Sequence, residues 1–209
     1  MNCCRIGGQA VWVLCWRCLL SLLMVLAAGC ALTPPVPDKS YMLDAGVRPR
    51  SAAHRSDRVL VVAEPQAVPG FDSQRIAYTR TPLALEYYAN SQWIDTPARM
   101  LAPLAVKALT NAGVFRAVVA EPTPVDGDFR LEIDSLRLLQ EFLQRPSRVR
   151  FAFRASLVDV ASRQVLATRV FEVTEIAPSE DAYGGVQAAN IAAERLLTEL
   201  TDFMAQQAW

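Results

Sequence analysis

The sequence predicts an α+β domain: a mostly antiparallel sheet with two main helices packed on one face. Three observations carry this. Apolar residues alternate strictly along Phe129–Asp134 and Val149–Leu157, the period of half-buried strands. Val186, Ala189, Ala193, Leu196, Leu200 and Phe203 recur in steps of three and four, the period of an amphipathic helix. Thr96-Pro97 and Gly113 bracket a second helical stretch with a start signal and a stop signal.

Taken in order, Tyr41–Leu43 reads as a short first strand, followed by a polar loop over 46–56. Val59–Ala63 is an unbroken β-branched run, as expected of a strand buried on both faces. Arg75–Thr79 and Leu83–Tyr88 read as two further strands separated by Thr81-Pro82, with Asn90-Ser91 as the turn that follows. The Thr96 hydroxyl can cap a helix that begins at Pro97, where the missing N–H costs nothing, and runs to about Asn111. Pro103 deletes a backbone hydrogen bond inside it, so a kink is expected there.

Val114–Ala120 is the next strand. In Phe129–Asp134 the odd positions are apolar, whereas Leu136, Leu138 and Leu139 break that phase; a bulge near Ser135 reconciles them. Val149–Leu157 and Val165–Ile176, joined through 161–164, form a long antiparallel hairpin. The final helix carries the three-four stripe flanked by Leu197 and Met204. Ser179, Glu180 and Asp181 place a cap and negative charge at its start.

The N-terminus has a different character. Arg5 and Arg17 precede an apolar run from Leu19 to Ala28 and then Gly29-Cys30, the order of a secretory signal. That run is far shorter than the roughly 20 residues a membrane-spanning helix needs. Ala27-Ala28-Gly29-Cys30 resembles the lipobox of bacterial lipoproteins, although Leu26 sits one place before the position where that motif prefers leucine. The expected organisation is a signal peptide over 1–29, a lipidated proline-rich tether over 30–40 and one domain over 41–209. The resemblance implies that Cys30 bears the lipid, with ordinary signal cleavage and Cys30 a bystander as the alternative; two or more acyl chains anchor durably where one does not. Prolines 34, 35 and 37 favour an extended tether. Cys3, Cys4, Cys15 and Cys18 leave with the signal, so the exported domain has no pair for a disulfide.

Losing Arg5 and Arg17 from 21 basic residues leaves 19 against 21 acidic ones, a net charge of −2. A nucleic-acid binder would be strongly basic. Ala31 beside the anchor, in place of the aspartate that retains lipoproteins at the inner membrane in enterobacterial-type sorting, points to the outer membrane.

No catalytic constellation assembles. The single histidine, His54, lies in a polar loop with no second His or Cys near it, so no metal site is expected. No nucleophile elbow, zinc-protease motif or phosphate loop occurs, and no cofactor is expected. Glu132 and Asp134 share a strand face, which suits paired-carboxylate chemistry in principle and a solvated surface more simply. Gly184-Gly185 has the composition of a phosphate-cradling turn, but close packing accounts for it better. Arg148, Arg150 and Arg154 align on one side of one strand, with Arg145 nearby. They suit either a charged face that discourages unwanted sheet pairing or contact with an anionic surface or acidic partner. The aromatic segment Tyr78, Tyr87, Tyr88 and Trp93 reads as core and rim packing or, alternatively, as a partner-binding surface.

Phe71–Tyr78, Leu85-Glu86-Tyr87-Tyr88-Ala89-Asn90 with Trp93, Pro97, Met100 and Leu101, Gly113-Val114-Phe115, Arg150–Asp159 and Val186–Asn190 together resemble the auxiliary lipoproteins of ABC-type transport systems. That group includes the paraquat-inducible protein C-like lipoproteins. The resemblance implies a non-enzymatic role beside an ATPase, a permease and an MCE-type (mammalian cell entry) substrate-binding protein that move lipids between inner and outer membranes. The expected partner is that MCE-domain protein, with the membrane reached through the lipid and self-association possible. A periplasmic lipid carrier with an acyl-chain pocket between sheet and helices is the alternative. Gene neighbours encoding the three transporter parts would decide the pathway.

Overall fold

The structure, a computed structural model, describes residues 39–46 and 56–207. Cys30, His54 and the signal and tether segments up to residue 38 lie outside the described residues. Eight strands form one sheet: β1 (Lys39–Tyr41), β2 (Ser56–Val62), β3 (Arg75–Thr79), β4 (Glu86–Trp93), β5 (Phe115–Ala120), β6 (Phe129–Glu141), β7 (Arg148–Asp159) and β8 (Gln164–Ile176). Among the described residues two helices complete it, α1 (Pro97–Ala112) between β4 and β5 and α2 (Ala182–Gln207) after β8.

The sheet is mixed, which corrects the expectation of a mostly antiparallel one. β7 and β8 form the expected antiparallel hairpin, β6 extends it as a third antiparallel strand, and β3 pairs antiparallel with β4. The pairings β1–β4, β2–β5, β2–β6 and β3–β6 are parallel. Parallel pairing needs crossover connections, and α1 with the segments 63–74 and 121–128 supplies them. β2 and β3 share one edge of β6: Val62 sits opposite Leu131 near its start, Thr79 opposite Glu141 at its end. Val59–Val62 is buried throughout, as a strand covered on both faces should be.

Ser135 is the bulge the phase conflict demanded. It takes φ 58° at the point where the β6–β7 register shifts between Asp134 and Arg137. Phe129, Leu131 and Ile133 before it and Leu136 and Leu138 after it are all buried. The shift leaves Gln140 inward as well, a polar residue at an apolar position, and Leu139 outward.

Three local expectations fail. Asn90 and Ser91 lie within β4, not in a turn, because β1 on one side and β3 on the other supply ladder partners that outweigh local turn preference. Leu83–Leu85 is an exposed loop, so β4 starts at Glu86. β1 starts two residues early, at Lys39 instead of Tyr41, which takes Lys39 and Ser40 out of the expected tether.

α1 has the predicted bounds. Thr96 Oγ1 accepts from Arg99 N at 3.3 Å, and Gly113 adopts the left-handed conformation at φ 66° that ends the helix. The helix continues through Pro103, which lies on its exposed side. α2 is capped by Asp181 in place of Ser179: its carboxylate accepts from Gly184 N at 2.8 Å and from Ser179 Oγ at 2.7 Å. Every member of the predicted α2 stripe is buried, with Leu196, Leu197, Leu200 and Met204 fully so. They join Phe151, Phe153, Phe171 and the buried face of α1 in one core on a single side of the sheet. Phe153 stacks on Phe171 at 5.3 Å, and Phe171 meets Phe203 edge-on at 5.7 Å.

Candidate functional site

The antiparallel β3–β4 pair sets Tyr78 opposite Glu86 and brings the Tyr78 and Tyr88 rings to 4.7 Å. Phe142, just past β6, meets Tyr78 edge-on at 5.9 Å. The three rings, with Arg80, Arg145 and Glu180, line an open cleft of about 540 Å³ beside the start of α2.

Its floor is a chain of polar contacts. Tyr88 Oη donates to Gln140 Oε1 at 2.9 Å, Gln140 Nε2 donates to Ser147 Oγ at 3.1 Å, and Ser147 N donates to Glu180 Oε1 at 2.8 Å. Burial, reinforced by the Asp181 carboxylate, pushes the Tyr88 phenol far above its ordinary value, so it stays a protonated donor. At the rim Arg80 Nη2 donates to Tyr78 Oη at 2.6 Å and to Glu86 Oε2 at 3.0 Å, contacts that raise the Arg80 guanidinium further. Gln140 and Ser147 are both buried, and the network satisfies them.

The four candidate aromatics therefore part company. Tyr78 and Tyr88 meet in this cleft, with Tyr78 almost wholly buried. Trp93 is 2% exposed in the core and offers no surface. Tyr87 points to the other face of the sheet, half-buried, with Arg75 stacked 3.6 Å from its ring centroid and its hydroxyl donating to Gly70 O at 2.9 Å.

The candidate arginines stand on that same outer face. Arg154 pairs with Asp134 at 2.9 Å, and Arg150 with Glu141 at 3.0 Å and Glu172 at 3.7 Å. β7 lies between β6 and β8, so these residues make cross-strand pairs on an interior strand and guard no edge. Burial alone would raise the Asp134 carboxyl, but hydrogen bonds from Ser135 and Arg154 hold it below the ordinary carboxylate range. Glu132 pairs with Arg130 at 3.3 Å, so the two carboxylates are tied to separate arginines on a solvated face. Arg148 stands at the start of β7 and makes no ion pair among the described residues.

Gly184 and Gly185 are packing glycines. A Cβ on Gly184 would lie 2.3 Å from Ser179 O, and one on Gly185 2.2 Å from Gln140 Oε1. A second open cleft, about 620 Å³, lies on the outer face between Leu139, Leu143, Leu85 and Phe71, with Arg137 and Arg150 beside it. Sequence reading missed Phe142, Gln140 and the 80–85 loop. The polar residue in the inward phase after the bulge was the available signal for Gln140.

Among the described residues no cluster of His, Cys, Asp and Glu is placed to hold a metal, and no helix is long and apolar enough to cross a membrane.

A crystal structure of a Xanthomonas campestris protein is 28% identical with a TM-score of 0.72, covering 80% of this chain and 97% of that one. An uncharacterised protein, 12% identical with a TM-score of 0.62, covers 81% and 99% and shares the fold. No curated protein sequence matches the chain. The sequence model of the ABC-type transport auxiliary lipoprotein components matches residues 41–201, and the chain belongs to that family.

Proposed function

We propose that this protein is a non-enzymatic docking component of an MCE-type ABC transporter that moves lipids between the two membranes. In this reading Cys30 holds it to the periplasmic face of the outer membrane. Energy comes from the ATPase and permease, and the contact is with the MCE-domain substrate-binding protein. Membership of the transport auxiliary lipoproteins supports the setting.

The observation that favours docking over carriage is the packing between sheet and α2. The space bounded by Ile76, Trp93, Leu138, Gln140, Val149, Gly185 and Ala189 is about 10 Å³, whereas a bound acyl chain needs several hundred. The half-exposed Tyr87, braced by Arg75, supplies the kind of rigid aromatic that anchors interfaces. Arg150 and Arg154, locked in cross-strand pairs on β7, add ordered charge to the same face three strands away. Co-purification of the lipidated chain with the periplasmic part of its cognate MCE protein, with lipid extraction of the isolated chain, tests the reading. Association without stoichiometric lipid supports docking, and a retained lipid without association supports the carrier.

A further inference from the structure

β1 runs parallel to β4, with Lys39 beside Ser91 and Tyr41 beside Trp93. The chain therefore enters β1 from the end of the sheet where β4 begins, at Glu86. Antiparallel β3 delivers Arg80 to that end, and β6, parallel to β3, delivers Phe142. The Arg80–Leu85 loop, the Phe142–Ser147 loop and the start of β7 at Arg148 thus share the end from which the tether arrives. Nine peptide steps separate Cys30 from Lys39, a reach of about 30 Å. Following β4 back from Ser91 to Glu86 uses roughly 17 Å of it. A lipid on Cys30 can thus lie just past this end of the domain.

What this end displays suits a leaflet surface. Leu83 is 108% exposed at the tip of its loop and holds φ 67°, a left-handed conformation that branched residues rarely adopt. Leu85 and Leu143 are exposed beside it, and Ile176 is exposed where β8 ends at the same end of the sheet. A strained apolar tip in water gains nothing from the fold and is rewarded only when something apolar covers it.

Charge at this end is balanced in number, Glu180 and Asp181 against Arg145 and Arg148, but differs in how it is held. Glu86 pairs with Arg80, Glu141 with Arg150, Glu180 accepts from Ser147 N, and Asp181 caps α2. Arg145 and Arg148 have no carboxylate partner among the described residues. The opposite end also exposes apolar residues, Val125, Val160, Val165 and Leu166, beside Asp126, Asp128 and Asp159, with Arg58 paired to Asp128 and Arg163 in the β7–β8 turn. Apolar tips beside arginines that no carboxylate holds suit the interfacial zone of an anionic leaflet, and this is the end the tether can reach.

We propose that this end of the sheet rests in the leaflet that holds the anchor, Leu83 and Leu143 entering the headgroup layer and Arg145 and Arg148 meeting lipid phosphates. The inference rests on Cys30 bearing the lipid. It orients the domain, leaving the opposite end directed into the periplasm.

The mature lipidated chain has no free cysteine, so Leu83→Cys, Leu143→Cys and Val125→Cys each create a unique labelling site for an environment-sensitive fluorophore. The mature lipidated protein is reconstituted in phosphatidylcholine vesicles containing phosphatidylglycerol. Labels at 83 and 143 are expected to shift to shorter emission wavelength and to be quenched severalfold more by nitroxide-bearing lipid than the label at 125. Arg145→Glu is expected to reduce that difference. Equal, water-like behaviour of all three labels on vesicle-bound protein would overturn the proposal, as would shielding of position 83 that arises only when a protein partner is added. If the unsubstituted chain itself takes up label, the lipid reading of Cys30 has failed instead.

Discussion

Gly185 of α2 lies so close to Gln140 of β6 that a Cβ on the glycine would sit 2.2 Å from the Gln140 amide oxygen, the atom that accepts from Tyr88. The helix can start against the sheet only because two glycines, Gly184 and Gly185, stand in its first turn. Gly185→Ala is expected to destabilise the domain by about 1 to 3 kcal/mol in urea unfolding, outweighing the roughly 1 kcal/mol that alanine normally gains over glycine in a helix. Gly184→Ala should cost more, since its Cβ meets backbone at Ser179, which has no rotamer to yield.

Leu200 and Glu199 are neighbours on α2 with opposite surroundings. Leu200 is fully buried in the core, whereas Glu199 is half-exposed and 3.8 Å from Arg169. Leu200→Ala should cost about 2 to 5 kcal/mol. Glu199→Ala should change thermal stability by no more than about 1 kcal/mol, the range of a surface ion pair.

The Asp181 cap makes a pH prediction with a definite sign. Its carboxyl is held below the ordinary value chiefly by the Gly184 N–H, with Ser179 second. A lowered folded pKa means the stabilisation is present above the unfolded value of about 3.9 and is lost as pH falls through the folded value. Asp181→Asn keeps the cap without titrating, so its stability should fall less between pH 5 and pH 2, taken here as about one unit above that value and two below it. Asp181→Ala should lose about 1 kcal/mol at neutral pH.

Much of this architecture was legible where local chemistry decides it. The conflict of phase around Ser135 required a bulge, and Thr96-Pro97 and Gly113 bounded α1 because caps act within one turn. Pairing partners were not legible. That β2 and β3 share one edge of β6 depends on contacts between segments far apart in sequence, and it turned an expected antiparallel sheet into a mixed one. The same non-locality defeated the turn expected at Asn90-Ser91. Of the candidate site, the aromatic segment was visible as composition. Its division into a core residue, a cleft pair and the outward Tyr87 followed from strand alternation combined with a sheet order the sequence did not reveal.

The anchor carries its own test. Cys30→Ser should abolish acylation, seen as loss of the lipid mass, and should release any exported protein from the membrane fraction, because two or more acyl chains and not the domain provide durable attachment. An unchanged mass and unchanged membrane association would contradict it.

Docking itself is tested most directly by titrating the lipidated protein, in detergent, against the periplasmic part of its cognate MCE-domain protein, with Tyr87→Ala beside it. Saturable binding is predicted, weakened at least about tenfold by the substitution, as for an interface aromatic worth more than 1 kcal/mol, while the unfolding midpoint shifts little. Absence of binding by the unsubstituted protein would contradict the account.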